Sequence, residues 1–283
     1  MRDDFAIFVL SNNRAKELTT VDYLIKCGYT GKYYILLDDE DGQIDLYKER
    51  FGEDKVIIFN KESVRDKFDI MDNFEGNKVP TFARNALADI AKDMGLTYFS
   101  QMEDDHQRFV QRYTKDGKWL RTAYVTDLDS IIDEVLHFLD ISGAVTVCFS
   151  QYGDLIGGVR SSVFKKKISR KAMNSFFTRV DRAFEFKGRF NDDVNSYIDN
   201  GKVGKLMFTI SDISLWTAPT QVNSGGITDL YKKYGTYVKS WYSVMLRPDC
   251  VKISEMGESH KRIHHLINWE TCVPKIVSGR YKK

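Results

Sequence analysis

The densest chemistry in this 283-residue sequence is Glu103-Asp104-Asp105-His106, three adjacent carboxylates followed by an imidazole. Adjacent carboxylates repel one another, so they persist in open solvent or beside a cation. A hard divalent ion, Mg²⁺ or Mn²⁺, takes such oxygen ligands, keeps part of its water and shares the rest with a diphosphate. There it offsets charge that develops on a departing nucleoside diphosphate. The plain alternative is an acidic loop that caps the next element. Two more polar clusters, Ser11-Asn12-Asn13-Arg14 and Asp38-Asp39-Glu40-Asp41-Gly42, follow apolar runs, and Ala83-Arg84-Asn85 opens an amphipathic segment. An arginine at a helix start reaches a phosphate, and the helix dipole favours an anion there. Further on stand Asp192-Asp193, Gln221-Val222-Asn223-Ser224-Gly225-Gly226 and His264-His265. The two glycines allow close backbone approach to a ligand, while Gln221, Asn223 and Ser224 offer groups for sugar hydroxyls. In an extended segment His264 and His265 point to opposite sides, so one of them at most faces a site.

The elements that must position these groups follow from hydrophobic periodicity. Strands are expected at Phe5–Leu10, Tyr33–Leu37, Val56–Phe59 and Thr97–Met102. Between them lie helices at Lys16–Cys27, Gln43–Phe51 and Thr81–Met94, stopped by Gly28, Gly52 and Gly95. Alternating strands and helices predict an α/β fold with a mostly parallel sheet covered on both faces. Ligands of such sheets gather at the carboxyl ends of the strands, where the three polar clusters fall. Beyond Asp105 the pattern changes to a hairpin, Phe109–Tyr113 with Trp119–Tyr124, turning at Asp116-Gly117. A helix at Leu128–Leu139 and a strand at Ala144–Phe149 come next. The remainder is richer in aromatics and glycine and shows no linker, which fits one enlarged domain over 1–283, with a donor-binding half (1–106) and an acceptor-binding half (107–283).

A net charge of +2 argues against a protein that lives by bulk attraction to phosphate. The charge is uneven, however. Lys165, Lys166, Lys167, Arg170, Lys171, Arg179, Arg182, Lys187 and Arg189 form a basic run that either contacts a polyanion or is a solvated face. No stretch approaches the roughly 18 to 20 apolar residues of a membrane span, and no signal peptide is read at the start. Cys27, Cys148, Cys250 and Cys272 make no CxxC pair, so a reduced cytoplasmic setting is expected.

In order, these parts are a polar loop after strand one, an acidic end to strand two, an Arg-Asn helix and a carboxylate turn. The chain therefore resembles the GT-A glycosyltransferases, although its turn reads Glu-Asp-Asp where theirs reads Asp-x-Asp. The segment from Phe186 to Val194, Thr220 to Gly226, Tyr234 to Tyr242 and Arg262-Ile263-His264-His265 narrow the likeness. They look like the glycosyltransferases associated with TET/JBP-type base oxygenases, known in phages and in some animal proteins. That resemblance implies a GT-A-like Rossmann-type mixed sheet, a nucleotide-sugar donor such as a UDP-sugar, and Mn²⁺ or Mg²⁺. It implies donor contacts at Ser11, Asn12, Asn13, Arg14, Asp38, Asp39, Arg84, Asn85, Glu103, Asp104, Gln221, Asn223, Ser224 and Gly225. Glu103, Asp105 and His265 are then the metal ligands, with His264 or His106 as alternatives for the histidine. Asp192 and Asp193 take the catalytic or acceptor-binding position. The implied acceptor is a hydroxymethylated pyrimidine in DNA, modified in the cytoplasm of a phage-infected cell.

Three rival readings remain: the same chemistry on a protein or glycan, a nucleotidyltransferase, and a nucleic-acid-binding module without turnover. Nucleotidyltransferases on related sheets carry a glycine-rich basic loop after strand one, and Ser11-Asn12-Asn13-Arg14 has no glycine.

Overall fold

The computed structural model describes residues 1–74, 79–169, 171–217, 227–235, 237–257, 261–273 and 279. The first half runs β1 (Phe5–Leu10), α1 (Thr20–Lys26), β2 (Lys32–Asp38), α2 (Ile44–Phe51), β3 (Val56–Phe59), α3 (Glu62–Arg65), α4 (Pro80–Asp93) and β4 (Tyr98–Glu103). It continues through β5 (His106–Tyr113), β6 (Arg121–Tyr124), α5 (Leu128–Ser142), β7 (Thr146–Gln151), α6 (Ser162–Lys166), β8 (Ile168–Ser169) and β9 (Ser175–Arg179). The last elements are α7 (Asp192–Lys202), β10 (Met207–Thr217), α8 (Ile227–Tyr234), α9 (Val238–Leu246), β11 (Val251–Met256), β12 (Arg262–Ile267) and α10 (Trp269–Cys272).

One sheet of ten strands holds both halves together, in the order β3-β2-β1-β4-β9-β7-β10-β5-β6, with β8 on β10. The four strands from β3 to β4 are parallel. β9 then enters antiparallel between β4 and β7, and β5 antiparallel beside β10. The sheet is therefore mixed, as the GT-A resemblance implies, with β7 and β10 again parallel to each other beyond its first part.

Every residue of β1 is buried, because helices cover both faces of the sheet. On one face Phe5, Ile7 and Val9 pack with Leu24 of α1 and with Ile132, Leu136 and Leu139 of α5. On the other, Ala6 and Phe8 meet Phe82, Leu87 and Ala91 of α4. α4 starts at Pro80, whose fixed φ and missing N–H suit a first helical position. α1 ends before Gly28, which has φ +84, and a Cβ there would lie 2.4 Å from the Thr126 carbonyl. Only glycine fits that stop. α1 begins at Thr20, later than expected, because residues 14–18 fold into a turn closed by Leu18 N–H on the Arg14 carbonyl.

β10 is an eleven-residue strand with no counterpart in the periodicity reading. Its buried positions include Thr209, Ser211 and Ser214, so its apolar alternation is interrupted. A bulge between Ile210 and Ser214 re-registers it on β7 and delivers Trp216 and Thr217 to the carboxyl edge of the sheet. Among the described residues, no helix is long and apolar enough to cross a membrane. All four cysteines are buried and free.

Candidate active site

At the carboxyl ends of β1, β2, β4 and β7 the chain leaves a cleft of about 680 Å³. Of the donor residues expected from sequence, Ser11, Asn12, Arg14, Asp38, Arg84, Glu103 and Asp104 line it, together with Asp105, Asp192 and Asp193. The loop after β1 and the carboxylate turn are bonded to each other. Ser11 Oγ donates to Asp104 Oδ2 at 2.6 Å, and Arg14 Nη1 donates to Asp104 Oδ1 at 3.2 Å. Asp104 is thus occupied inside the protein and acts as the strut between β1 and β4. Tyr47, which periodicity marks only as a helix residue, completes the strut. Its hydroxyl meets Ser11 Oγ at 2.6 Å and accepts from Arg14 N–H at 2.8 Å.

The turn itself is held from below by α1. Thr20 Oγ1 donates to the Glu103 carbonyl at 2.6 Å and accepts the His106 N–H at 3.0 Å. Thr19 N–H meets the Asp104 carbonyl at 2.9 Å. His106 is fully buried, its Nε2 lies 3.3 Å from the Asn174 carbonyl, and burial holds its pKa down at about 4. It does not line the cleft.

Asn12 Nδ2 donates to Asp38 Oδ2 at 3.0 Å, and the 2 % exposed Lys61 pairs with the other oxygen at 3.1 Å. Lys61 is a second residue that sequence reasoning missed. Asp39 turns away to accept from Asn60 Nδ2 and Lys61 N–H. Asn13, at φ 53, spends its N–H on Asp41 and its side-chain oxygen on Gly42 N–H. Asn85 clamps the Phe186 backbone through both ends of its amide. Asp39, Asn13 and Asn85 therefore shape the cleft from behind its wall. Gln221, Asn223, Ser224 and Gly225 lie outside the described residues.

Arg84 has a different partner from the phosphate expected of it. Its Nη2 donates to Glu103 Oε1 at 3.0 Å, and its Nε lies 3.0 Å from Asp192 Oδ2, off the line of a hydrogen bond. The side chain is 3 % exposed and lies over the rings of Phe176 and Phe186. Arg84→Ala strands two carboxylates in the cleft wall without a counter-charge. Breaking a buried pair costs about 3–5 kcal/mol, so the variant is expected to melt many degrees lower and to lose activity. Calorimetric melting checks this; an unchanged melting temperature removes Arg84 from that role.

Charge in the cleft is strained. Burial first, then Asp105, Asp193 and Asp104, push the Glu103 carboxyl well above its ordinary range, while Arg84 pulls it back. Burial and Asp104 lift Asp105 to about 6. Burial and Asp193 raise Asp192 despite Arg84. Asp105 Oδ1 is buried with no hydrogen-bond partner. An acceptor oxygen left in this state among neighbouring carboxylates fits a cation.

Among the described residues, no three His, Cys, Asp or Glu side chains converge as a ligand group. The expected triad of Glu103, Asp105 and His265 is therefore not assembled. His265 Nδ1 faces Asn191 Nδ2 at 3.2 Å, and its ring packs 4.2 Å from that of His264 rather than parting from it. One or two carboxylates with water and a donor diphosphate still suit Mg²⁺ or Mn²⁺, which is seldom held in an all-protein cage.

The basic run also resolves into local pairs. Lys167 meets Asp212, Lys171 meets Asp154, and Arg179 meets Asp140 and Asp181; Lys187 meets Asp199 and Arg189 meets Asp72. Arg182 donates to two carbonyls. Lys165 and Lys166 are exposed, and Arg170 lies outside the described residues, so the run is neutralised within the fold only in part. Lys239, which lines the cleft with Tyr231, is the cation that sequence pattern did not single out there.

The TET-associated glycosyltransferase family matches residues 5–226, most of the chain. The chain belongs to this family. It is a glycosyltransferase. No curated protein matches it. Among solved structures it is similar to a mannosyltransferase of Pyrobaculum calidifontis, with 11% identity and a TM-score of 0.49. That likeness covers 78% of this chain and 59% of the other, so the chain spans under two thirds of that enzyme's length. It is also similar to a glucosyl-3-phosphoglycerate synthase of Mycobacterium tuberculosis, with 9% identity and a TM-score of 0.47, over 93% of this chain and 87% of that one.

Proposed function

We propose that this TET-associated glycosyltransferase is metal-dependent and carries a sugar from a UDP-sugar to the hydroxymethyl group of 5-hydroxymethylcytosine or 5-hydroxymethyluracil in phage DNA. The observation that carries the metal-dependent chemistry is Asp105, whose unpartnered buried oxygen sits in a carboxylate-rich cleft at the strand ends. Residues 1–106 supply the donor half. Asn12 and Asp38 meet the nucleoside end beside Leu10 and Phe59, and the diphosphate lies toward Asp105 and Lys239. Asp105, with Glu103 beside it, holds the divalent ion, which when bound neutralises the departing diphosphate. Residues 107–283 present the acceptor, with Asp193 facing its hydroxyl.

The acceptor reading rests on the family's association with base oxygenases, because hydroxymethyl is the group that oxidation of a pyrimidine methyl installs. A base stacked in duplex DNA is out of reach, so an extruded or single-stranded base is the substrate. Trp216 lines the cleft and suits an extruded ring. Tyr242 is buried with its hydroxyl on Asp72, and Trp241 is half-exposed and outside the cleft lining.

The test is mass spectrometry of nucleosides after incubation of hydroxymethylcytosine DNA, hydroxymethyluracil DNA and unmodified DNA with a panel of nucleotide sugars and Mn²⁺. A hexose or pentose adduct on one modified base is expected. Adducts only on a protein or glycan would overturn the DNA acceptor and leave the glycosyl transfer.

A further inference from the structure

Beside the cleft, β5, β6 and the end of β10 carry guanidinium groups and aromatic rings in alternation. Arg108 of β5 lies over Tyr124 of β6 at 5.2 Å and over Trp216 of β10 at 5.4 Å. Trp216 meets Tyr152 edge to face at 4.7 Å, and Arg112 lies over Tyr152 at 5.2 Å. Sheet register explains the alignment: Arg108 pairs with Trp216 and Val110 with Tyr124, on the face opposite Phe109 and Leu215, which enter the core. The row ends in the cleft, since Tyr152 and Trp216 line it.

Three properties set this row apart from an ordinary edge. Tyr124 is 64 % exposed and Tyr152 is 51 % exposed, so large ring faces meet solvent in sequence. Among the described residues neither Arg108 nor Arg112 has a carboxylate partner; Arg108 donates to the Tyr124 hydroxyl and Arg112 to Thr122 Oγ1. Arg112 is 9 % exposed and its Nε has no partner, as has the buried indole N–H of Trp216. Cations so placed, without a carboxylate and beside exposed rings, suit an external anion. Rings beside them take flat, apolar faces. A chain with a phosphate at each step and a planar base between satisfies both, and stacked duplex bases do not offer those faces.

We propose that Arg108, Tyr124, Trp216 and Tyr152 form the bed for a single nucleic-acid strand, its bases on the rings and its phosphates on the guanidinium groups, guiding the nucleotides next to the reacting base. This deepens the DNA-acceptor reading above and rests on it. Arg108 and Tyr124 are then specificity residues for the polymer, since a free nucleoside reaches the cleft without them.

The experiment measures fluorescence anisotropy of a labelled twelve-nucleotide single strand carrying one hydroxymethylcytosine, with wild type, Arg108→Ala, Arg108→Lys and Tyr124→Ala. Kinetics of transfer to that oligonucleotide and to free hydroxymethylcytidine accompany it. Thermal melting of each variant reports its folding. Arg108→Ala and Tyr124→Ala are expected to weaken strand binding about ten-fold. Arg108→Ala should also flatten the salt dependence by about 0.7 in log–log slope, the share of one phosphate. Arg108→Lys keeps the charge and loses the planar stack, so it retains the slope but not the affinity. An abasic strand of equal length should bind more weakly than the one with bases. Tighter binding of duplex than of single strand, equal binding of the abasic strand, or unaltered KM in folded Arg108→Ala and Tyr124→Ala would overturn the bed while wild type still modifies DNA. If wild type neither binds nor modifies any oligonucleotide, the acceptor reading itself has failed.

Discussion

Asp105→Asn is expected to abolish sugar transfer while leaving the protein as stable as wild type or more so. The two effects have one cause. Asp105 Oδ1 is buried without a partner, in a turn where burial and the neighbouring Asp104 already disfavour its charge. An amide of the same shape removes a desolvated anion and supplies a poor ligand for Mg²⁺ or Mn²⁺. Charge stabilisation of a leaving diphosphate is worth several kcal/mol, so the loss should reach roughly a thousand-fold. Because the Asp105 carboxyl is raised to about 6 in the folded protein, folding favours its protonated form. Its contribution to stability is therefore greatest at acid pH and is lost as pH rises through about 6. A bound cation reverses that loss. The thermal shift given by Mn²⁺ should grow from pH about 5 to pH about 7.5 in wild type and vanish in Asp105→Asn. Full transfer in the variant, or in wild type under excess chelator, would falsify the metal assignment.

The sheet's first part was legible because its signals are local. Phe5–Leu10 and Val56–Phe59 are unbroken apolar runs bounded by turn residues, and the structure returns both with the same limits. The helices that end at Gly52 and before Gly95 were equally plain, since glycine past the last turn stops a helix. The carboxylate turn was visible as a cluster, but its division of labour was not. Nothing in Glu103-Asp104-Asp105 says that Asp104 serves as a strut for Ser11 and Arg14, because both partners lie some ninety residues away. Partners remote in sequence also hid Tyr47 and Lys61, whose contacts with Ser11 and Glu40 span 36 and 21 residues. Arg84 was legible as a helix-start arginine suited to phosphate, and it lines the cleft, but only the tertiary fold shows Asp192 beside it. β10 failed on composition, since buried Ser and Thr break the alternation that marks a strand.

The acid pair divides in the structure as it could not in the sequence, and Asp193→Asn is the variant that tests the division. α7 starts at Asp192, and Asn191 before it is held at φ 54 by bonds from its amide to the Lys239 carbonyl and Ser243 Oγ. That left-handed step turns Asp192 inward to Arg84, where it is 6 % exposed. Asp193, next in the helix, lines the cleft while remaining half-buried, and no cation lies within ion-pair distance of it among the described residues. Lys239 is near enough for Asp193 to raise its pKa against the depression that burial causes. A carboxylate free of local pairing in the cleft is available to the acceptor hydroxyl, which it deprotonates if the anomeric centre inverts and orients if it is retained. A positioned general base contributes about 10²–10⁴-fold. Asp193→Asn should lower transfer by that factor and leave the affinity for UDP within about three-fold, because Asp193 is assigned to the acceptor hydroxyl and not to the donor. Asp192→Asn should instead appear first as a lower melting temperature, since it unpairs Arg84. Rates of transfer, UDP calorimetry and melting separate the two. Wild-type rates in Asp193→Asn, with transfer lost in a stably folded Asp192→Asn, would exchange the roles of the pair.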